Sequence, residues 1–148
     1  MKAAVDKAVW VADPSALLEV SRRHGLLAVY LFGSRAADGL RRLAGEAVDA
    51  RGSDLDVGVV FTDPAAHLQR LGALQADLED VFAPLRVDLV PLQRVDSLFQ
   101  YAAVDGHRVA TTDEHRSDLF ELLVLRRAAE ALPLEREHER RVYGVTSR

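Results

Sequence analysis

The feature that most narrows the fold is Leu26–Phe32, LLAVYLF, seven consecutive largely apolar residues stopped by Gly33. A strand with one wet face alternates polar and apolar residues. An unbroken apolar run of strand length predicts a strand covered on both faces, which requires helices on each side of a sheet. The neighbouring segments agree. Asp54 to Phe61, DLDVGVVF, alternates before turning wholly apolar and predicts a strand that enters the core from a polar end. Leu85 to Leu92, LRVDLVPL, predicts a third strand, and Arg108 to Thr111 a short edge strand.

Helical signals lie between these strands. Asp13 as N-cap and Pro14 in the first turn open a helix that closes at His24 and Gly25. Ser34 to Ser53 predicts a short helix followed by a mobile loop. Asp63-Pro64 opens a helix with Leu68, Leu71, Leu74, Leu78, Val81 and Phe82 on one side, ending before Pro84. Val95, Leu98, Phe99 and Ala102 fall at i, i+3, i+4, i+7 and predict the buried face of another helix, closed by Gly106. Leu119 to Leu132 predicts a last helix, interrupted at Pro133 and continued by the charged Glu135 to Arg141. Its wide apolar surface around Leu119, Phe120, Leu122, Leu123 and Leu125 is expected to pack on the sheet, with docking of a partner by part of it as the alternative. The chain therefore reads as one α/β domain over residues 1–148, with 113–148 a C-terminal helical segment.

Composition removes several function classes. With 49% hydrophobic and 28% charged residues the chain is a globular domain rather than a disordered or membrane one. The balance of 19 Lys+Arg against 23 Asp+Glu, a net charge of -4, argues against bulk nucleic-acid binding. The absence of cysteine excludes disulfide scaffolds, zinc ribbons and thiol catalysis. The start of the chain lacks a secretory apolar core, so a cytoplasmic location is expected.

The chemistry concentrates in a few positions. Asp54 and Asp56 flank Leu55 on a strand, so both carboxylates project from one face, roughly 6.6 Å apart along the backbone. Repelling carboxylates at the mouth of an apolar strand suit a cation between them, although a polar strand start capped by Ser53 is the plainer alternative. Asp88 replaces an apolar residue between Val87 and Leu89, and pairing of its strand beside the first would bring all three together. Oxygen ligands favour Mg²⁺ over Zn²⁺, and such a trio suits two ions about 3.5 to 4 Å apart for phosphoryl chemistry. Upstream, Gly33-Ser34 ends the buried strand where a helix begins, a place for a phosphate against free N–H groups and a hydroxyl. Arg35 either adds a bidentate fork to that phosphate or serves as a salt-bridging arginine. The histidines His24, His67, His107, His115 and His138 fall in different elements without ligand spacing and are assigned no role, and Asp77, Glu79 and Asp80 read as a solvated helix face.

Gly33-Ser34, then Asp54-Leu55-Asp56, then Asp88 resembles the pattern of the polymerase-β-like nucleotidyltransferase superfamily. Within it the chain, over Leu26 to Arg127 and especially from Val87 onward, is similar to the minimal nucleotidyltransferase (MNT) antitoxins paired with HEPN ribonuclease toxins. The resemblance implies a single mixed β-sheet flanked by helices and a Mg²⁺-dependent transfer of AMP from ATP to a hydroxyl, a tyrosine's, of the cognate HEPN toxin. It implies further that Asp54, Asp56 and Asp88 are catalytic and hold metal, with Asp88 also taking the proton from the attacking hydroxyl, and that Gly33, Ser34 and Arg35 bind the nucleotide. Two alternatives stay open: a small-molecule nucleotidyltransferase of the aminoglycoside type, and an antitoxin that acts by binding alone. The chain also departs from the pattern. Nineteen residues, Arg35 to Ser53, separate Ser34 from Asp54 where compact members have about ten, and Ala37-Asp38-Gly39 replaces the usual Arg-Gly. The extra length, with Arg41, Arg42 and Arg51, offers either a flap over the triphosphate or a surface for the partner.

Overall fold

The computed structural model describes residues 15–143, and the side chains of all of these except 66–68 and 133–143. The proposed helix start at Asp13 and Pro14 lies outside the described residues. In chain order the elements are α1 (Ser15–Arg23), β1 (Leu26–Phe32), α2 (Ala36–Leu43), β2 (Leu55–Phe61), α3 (Pro64–His67), a 3₁₀ turn (Leu68–Arg70), α4 (Leu71–Phe82), β3 (Val87–Pro91), a 3₁₀ turn (Leu92–Arg94), α5 (Ser97–Val104), β4 (His107–Thr111) and α6 (Glu114–Tyr143). Among the described residues the sheet has four strands in the order β3-β2-β1-β4. β1 runs antiparallel to both β2 and β4, and β2 pairs parallel with β3, so the sheet is mixed.

β1 is buried at every position, as its unbroken apolar run requires, because both faces of the sheet are covered. On one face α1, α2 and α4 bring Leu17, Leu40, Leu74, Leu78 and Phe82 against Leu26, Val29, Leu31, Val57 and Val59. On the other, Leu92, Ala103 of α5 and Phe120 of α6 lie over Leu27, Tyr30, Phe32, Val60 and Val90. Each fully buried side chain of this kind contributes about 1.5–3 kcal/mol. Polar bonds fix α6 in place: the Tyr30 hydroxyl donates to Glu121 Oε2 at 2.6 Å, and Arg108 Nη1 donates to Glu121 Oε2 and to Asp118 Oδ1, both at 2.9 Å. Burial and the adjacent Glu121 carboxylate hold the Tyr30 phenol far above its usual range, so it remains a donor.

Several expectations are corrected. The helix read across Asp63 to Phe82 is divided by a 3₁₀ turn, because the i, i+4, i+8 ladder of buried Leu74, Leu78 and Phe82 lies wholly in α4 and packing stabilises a helix more than propensity does. In α5 the buried face is Gln100 and Ala103, and Phe99 is 45% exposed. Gln100 reaches the core by donating its amide to the Leu92 carbonyl at 2.6 Å, a polar anchor that a count of apolar periodicity passes over. The Asp96 carboxylate caps α5 by accepting from the Phe99 N–H at 2.8 Å. α6 runs through Pro133, since a proline removes one backbone bond without having to end a helix. Its apolar surface is mostly not core: Val124 and Ala128 are buried, whereas Leu119, Leu122, Leu123 and Leu125 stand exposed and only Phe120 of the expected set packs on the sheet. One face of a helix meets a sheet, and leucines one or two positions off that face turn away. No helix among the described residues is long and apolar enough to cross a membrane.

Candidate active site

The site forms where the sheet loses its cover. Along β2, residues 56, 58 and 60 face the α5–α6 side: Val60 is buried, Gly58 lies under the Leu92 side chain, and Asp56 is only half-buried. The row that carries core residues in mid-strand therefore carries a carboxylate at its open end. β3 continues the row, because its parallel register sets Asp88 directly opposite Asp56, and residues opposite one another in a sheet share a face. Asp54 lies just before β2 and is exposed, as is Asp88.

The Asp56 carboxyl responds to its acidic neighbours. Burial first, then the charge of Asp88 and a hydrogen bond with it, and then the charge of Asp54, hold the Asp56 carboxyl above its ordinary range. The convergence is closest between Asp56 and Asp88. Among the described residues no three His, Cys, Asp or Glu gather closely enough to hold a metal ion by themselves. The donor set still fits a hard cation, since Mg²⁺ is commonly held by one or two carboxylates with water and substrate phosphates completing its shell.

Gly33, just past the end of β1, packs against the Asp56 carboxylate. Its φ is +76°, a conformation that favours glycine, and a Cβ built there would lie 2.1 Å from Asp56 Oδ2. The turn then starts α2, where the Ala36 N–H donates to the Gly33 carbonyl at 3.3 Å and no side chain caps the N–H groups that follow, which can therefore face a ligand. Gly39 lets α2 sit against Leu31 and Leu55, where a Cβ would come within 2.9 Å of both side chains. Ser34 is exposed, with its hydroxyl 3.1 Å from that of Ser53. Beside it a cavity of about 370 Å³ is lined by Phe32, Gly33, Ser34, Ala36, Ala37, Ala102, Asp105, Gly106 and His107.

Arg35 is placed differently from its neighbours. Its side chain is 9% exposed and is committed to Asp38 and to carbonyls of the 44–54 loop rather than to the cleft. Ser53 and the wall formed by Ala102 to His107 were not foreseen as parts of the site. The wall arises because antiparallel pairing sets His107 opposite Leu31 at the end of β1, a long-range pairing that no local motif announces. Of the acidic run, Asp77 accepts from His24 and Arg23, and Glu79 accepts from the Val87 N–H at 3.1 Å, so only Asp80 is simply solvated.

The family profile of "Polymerase beta, Nucleotidyltransferase" matches residues 17–115, more than half of the chain. The chain belongs to the polymerase beta nucleotidyltransferase family. Structural similarity agrees with this membership. A mutant of the toxin–antitoxin MntA-HpeT is 21% identical, covers 85% of this chain and 93% of its own, and superimposes with a TM-score of 0.60. A toxin–antitoxin with AMP-PNP is 22% identical over 85% of this chain and 94% of its own, with a TM-score of 0.58. A tri-AMPylated Shewanella oneidensis HEPN toxin in complex with MNT antitoxin gives 21% identity over 82% and 87%, with a TM-score of 0.50. At these identities the likeness is one of fold. No curated protein matches the chain by sequence.

Proposed function

We propose that this family member is an antitoxin enzyme that transfers AMP from ATP, with Mg²⁺, to a hydroxyl of a cognate HEPN toxin, a tyrosine in the reading given above. The observation that carries the proposal is the register of Asp56 and Asp88 on adjacent parallel strands, with Gly33 packed on the Asp56 carboxylate. AMP-PNP in one structural relative and an AMPylated toxin in another support the choice of nucleotide and acceptor.

In this mechanism the chain's own groups act by position. Gly33, Ser34 and the uncapped start of α2 receive phosphate oxygens, and the cavity beyond Ser34 gives the nucleotide room on the β4 side. Asp54, Asp56 and Asp88 are the residues that would hold Mg²⁺, which when bound neutralises the triphosphate and makes the α-phosphorus more electrophilic. Asp88 stands exposed on an edge strand, open to an acceptor presented from outside, and takes the proton as the hydroxyl oxygen attacks. The new bond joins that oxygen to the α-phosphorus, the bond to the β-phosphate breaks, and pyrophosphate leaves. In this reading Arg35 is left out of the phosphate ligands, because four of its five N–H groups are engaged by Asp38 and by carbonyls of the loop.

The test is the mass of the toxin encoded beside this chain after incubation with the protein, ATP and Mg²⁺. The reading expects an increase by whole AMP increments. An unchanged mass, with the toxin nonetheless silenced, would replace it with inhibition by contact alone.

A further inference from the structure

The chain between Ser34 and Asp54 is long, and closing a loop of that length leaves its ends loosely related unless something ties them. Here one side chain makes the tie. Arg35 Nε donates to Asp38 Oδ2 at 2.8 Å, Nη1 donates to the Arg51 carbonyl at 2.9 Å and the Ser53 carbonyl at 3.0 Å, and Nη2 donates to the Asp49 carbonyl. These bonds employ four of the five N–H groups of a guanidinium. The loop closes tightly around it: Gly52 has φ +112°, and a Cβ there would lie 3.2 Å from Arg35 Nη1. The other arginines of the segment are engaged within it, Arg41 with Asp38, Arg42 with the Glu46 carbonyl and Arg51 with Asp49.

We propose that Arg35 is a positioning residue, clasping the 44–54 loop so that Ser53 and the Asp54–Asp56 segment are held against the Gly33-Ser34 turn. The path is short and continuous. The Ser53 carbonyl is bonded to Arg35, the Ser53 hydroxyl meets that of Ser34, and one residue beyond Asp54 the Leu55 N–H donates to the Arg86 carbonyl at 2.8 Å, which starts the β2–β3 pairing. Loss of the clasp frees the segment that carries Asp54 and shifts it relative to the phosphate-binding turn. The insertion is in this account a fixed strap, not a flap that opens over the triphosphate.

The inference rests on the nucleotidyl-transfer reading for its kinetic consequence but not for its structural one, so the two are measured separately. In the ligand-free protein, hydrogen exchange at residues 49–55 is expected to speed up about tenfold or more in both Arg35→Ala and Arg35→Lys, because a lysine supplies charge but not the planar fork that spans three carbonyls. In toxin labelling, kcat is expected to fall about 10- to 100-fold in both variants with KM for ATP little changed, since displacement of a reacting group by about 1 Å can cost 100-fold. If Arg35 instead contacted the triphosphate, KM would rise in Arg35→Ala and lysine would restore much of it. That result, or unchanged exchange at 49–55 in a folded variant, overturns the proposal. Failure of the wild type to label any toxin would count against the functional reading alone, and the exchange measurement would still decide the clasp. Should Arg35→Ala fail to fold, the charge-conserving Arg35→Lys decides both.

Discussion

Asp56 on β2 and Asp88 on β3 stand opposite each other in parallel register, and with burial the charge of Asp88 holds the Asp56 carboxyl above its ordinary range. A carboxyl whose folded pKa is raised contributes stability below its unfolded pKa and loses that contribution as pH rises through the folded one. Without metal, the site therefore stabilises the fold least at neutral pH. Asp56→Asn is expected to raise the melting temperature of the metal-free protein at pH 7 and to have little effect well below pH 4, while Mg²⁺ with ATP stabilises the wild type only. Ligand at about 100 times its dissociation constant adds roughly 2.7 kcal/mol, which thermal shift detects. A metal-free Asp56→Asn protein that melts below wild type at pH 7 would contradict this relation.

Gly33 is under two constraints, a positive φ and the Asp56 carboxylate in the place of its missing Cβ. Gly33→Ala is expected to cost ~1–3 kcal/mol from backbone strain, and more from the contact. In a domain of this length each kcal/mol corresponds to roughly 2–6 °C of melting temperature. The double variant Gly33→Ala with Asp56→Ala should recover part of the loss, because the clashing oxygen is gone. Melting curves of the two single variants and the double variant measure the coupling, and strict additivity would show that the contact does not matter.

α6 makes a paired prediction from one helix. Val124 is 1% exposed and Leu122 is 57% exposed. Val124→Ser is expected to destabilise by about 1–3 kcal/mol, through lost apolar contact and a buried hydroxyl, and Leu122→Ser by less than about 0.5 kcal/mol. Urea unfolding of the two variants checks the orientation of the helix, and equal losses would place Leu122 in the core.

These residues also show what the sequence made legible. The buried strand Leu26–Phe32, the Gly33-Ser34 turn and the carboxylates at 54, 56 and 88 were readable because each is a local signal, an unbroken apolar run or a residue type at odds with its surroundings. Which face of α6 meets the sheet was not readable from its many leucines. The polar bonds of Glu121 with Tyr30 and Arg108 fix that face, and the first of them joins positions 91 residues apart in the chain. The contacts of Arg35 were hidden for a similar reason: apart from Asp38 its partners are backbone carbonyls, which every residue carries and no motif marks. The wall at Gly106-His107 depends on antiparallel pairing with β1, a property of topology rather than of the segment itself.

Acid sensitivity should have a source outside the site. The hydrogen bond from His24, with that from Arg23 behind it, holds the Asp77 carboxyl below its ordinary value against the opposing effect of desolvation. A carboxyl lowered in the folded state contributes stability above its unfolded pKa, about 3.9 for aspartate, and loses it as pH falls through the lowered value. Asp77→Asn is expected to lower the melting temperature at pH 6 and to flatten its decline below about pH 4. A variant whose melting temperature declines as steeply with acid as the wild type's would remove Asp77 from the account.

The most direct measurement is transfer of label to the toxin from ATP labelled at the α-phosphate and, in parallel, at the γ-phosphate. Wild-type protein with Mg²⁺ is expected to pass on the α label and not the γ label. Asp54→Asn, Asp56→Asn and Asp88→Asn should each reduce that transfer by at least about 100-fold, a barrier increase of roughly 2.7 kcal/mol, whereas Ser34→Ala, which removes one proposed phosphate contact, is expected to cost about 1–3 kcal/mol. Transfer of the γ label, or undiminished α labelling by the Asp56→Asn and Asp88→Asn proteins, would contradict the assignment of this carboxylate pair to nucleotidyl transfer.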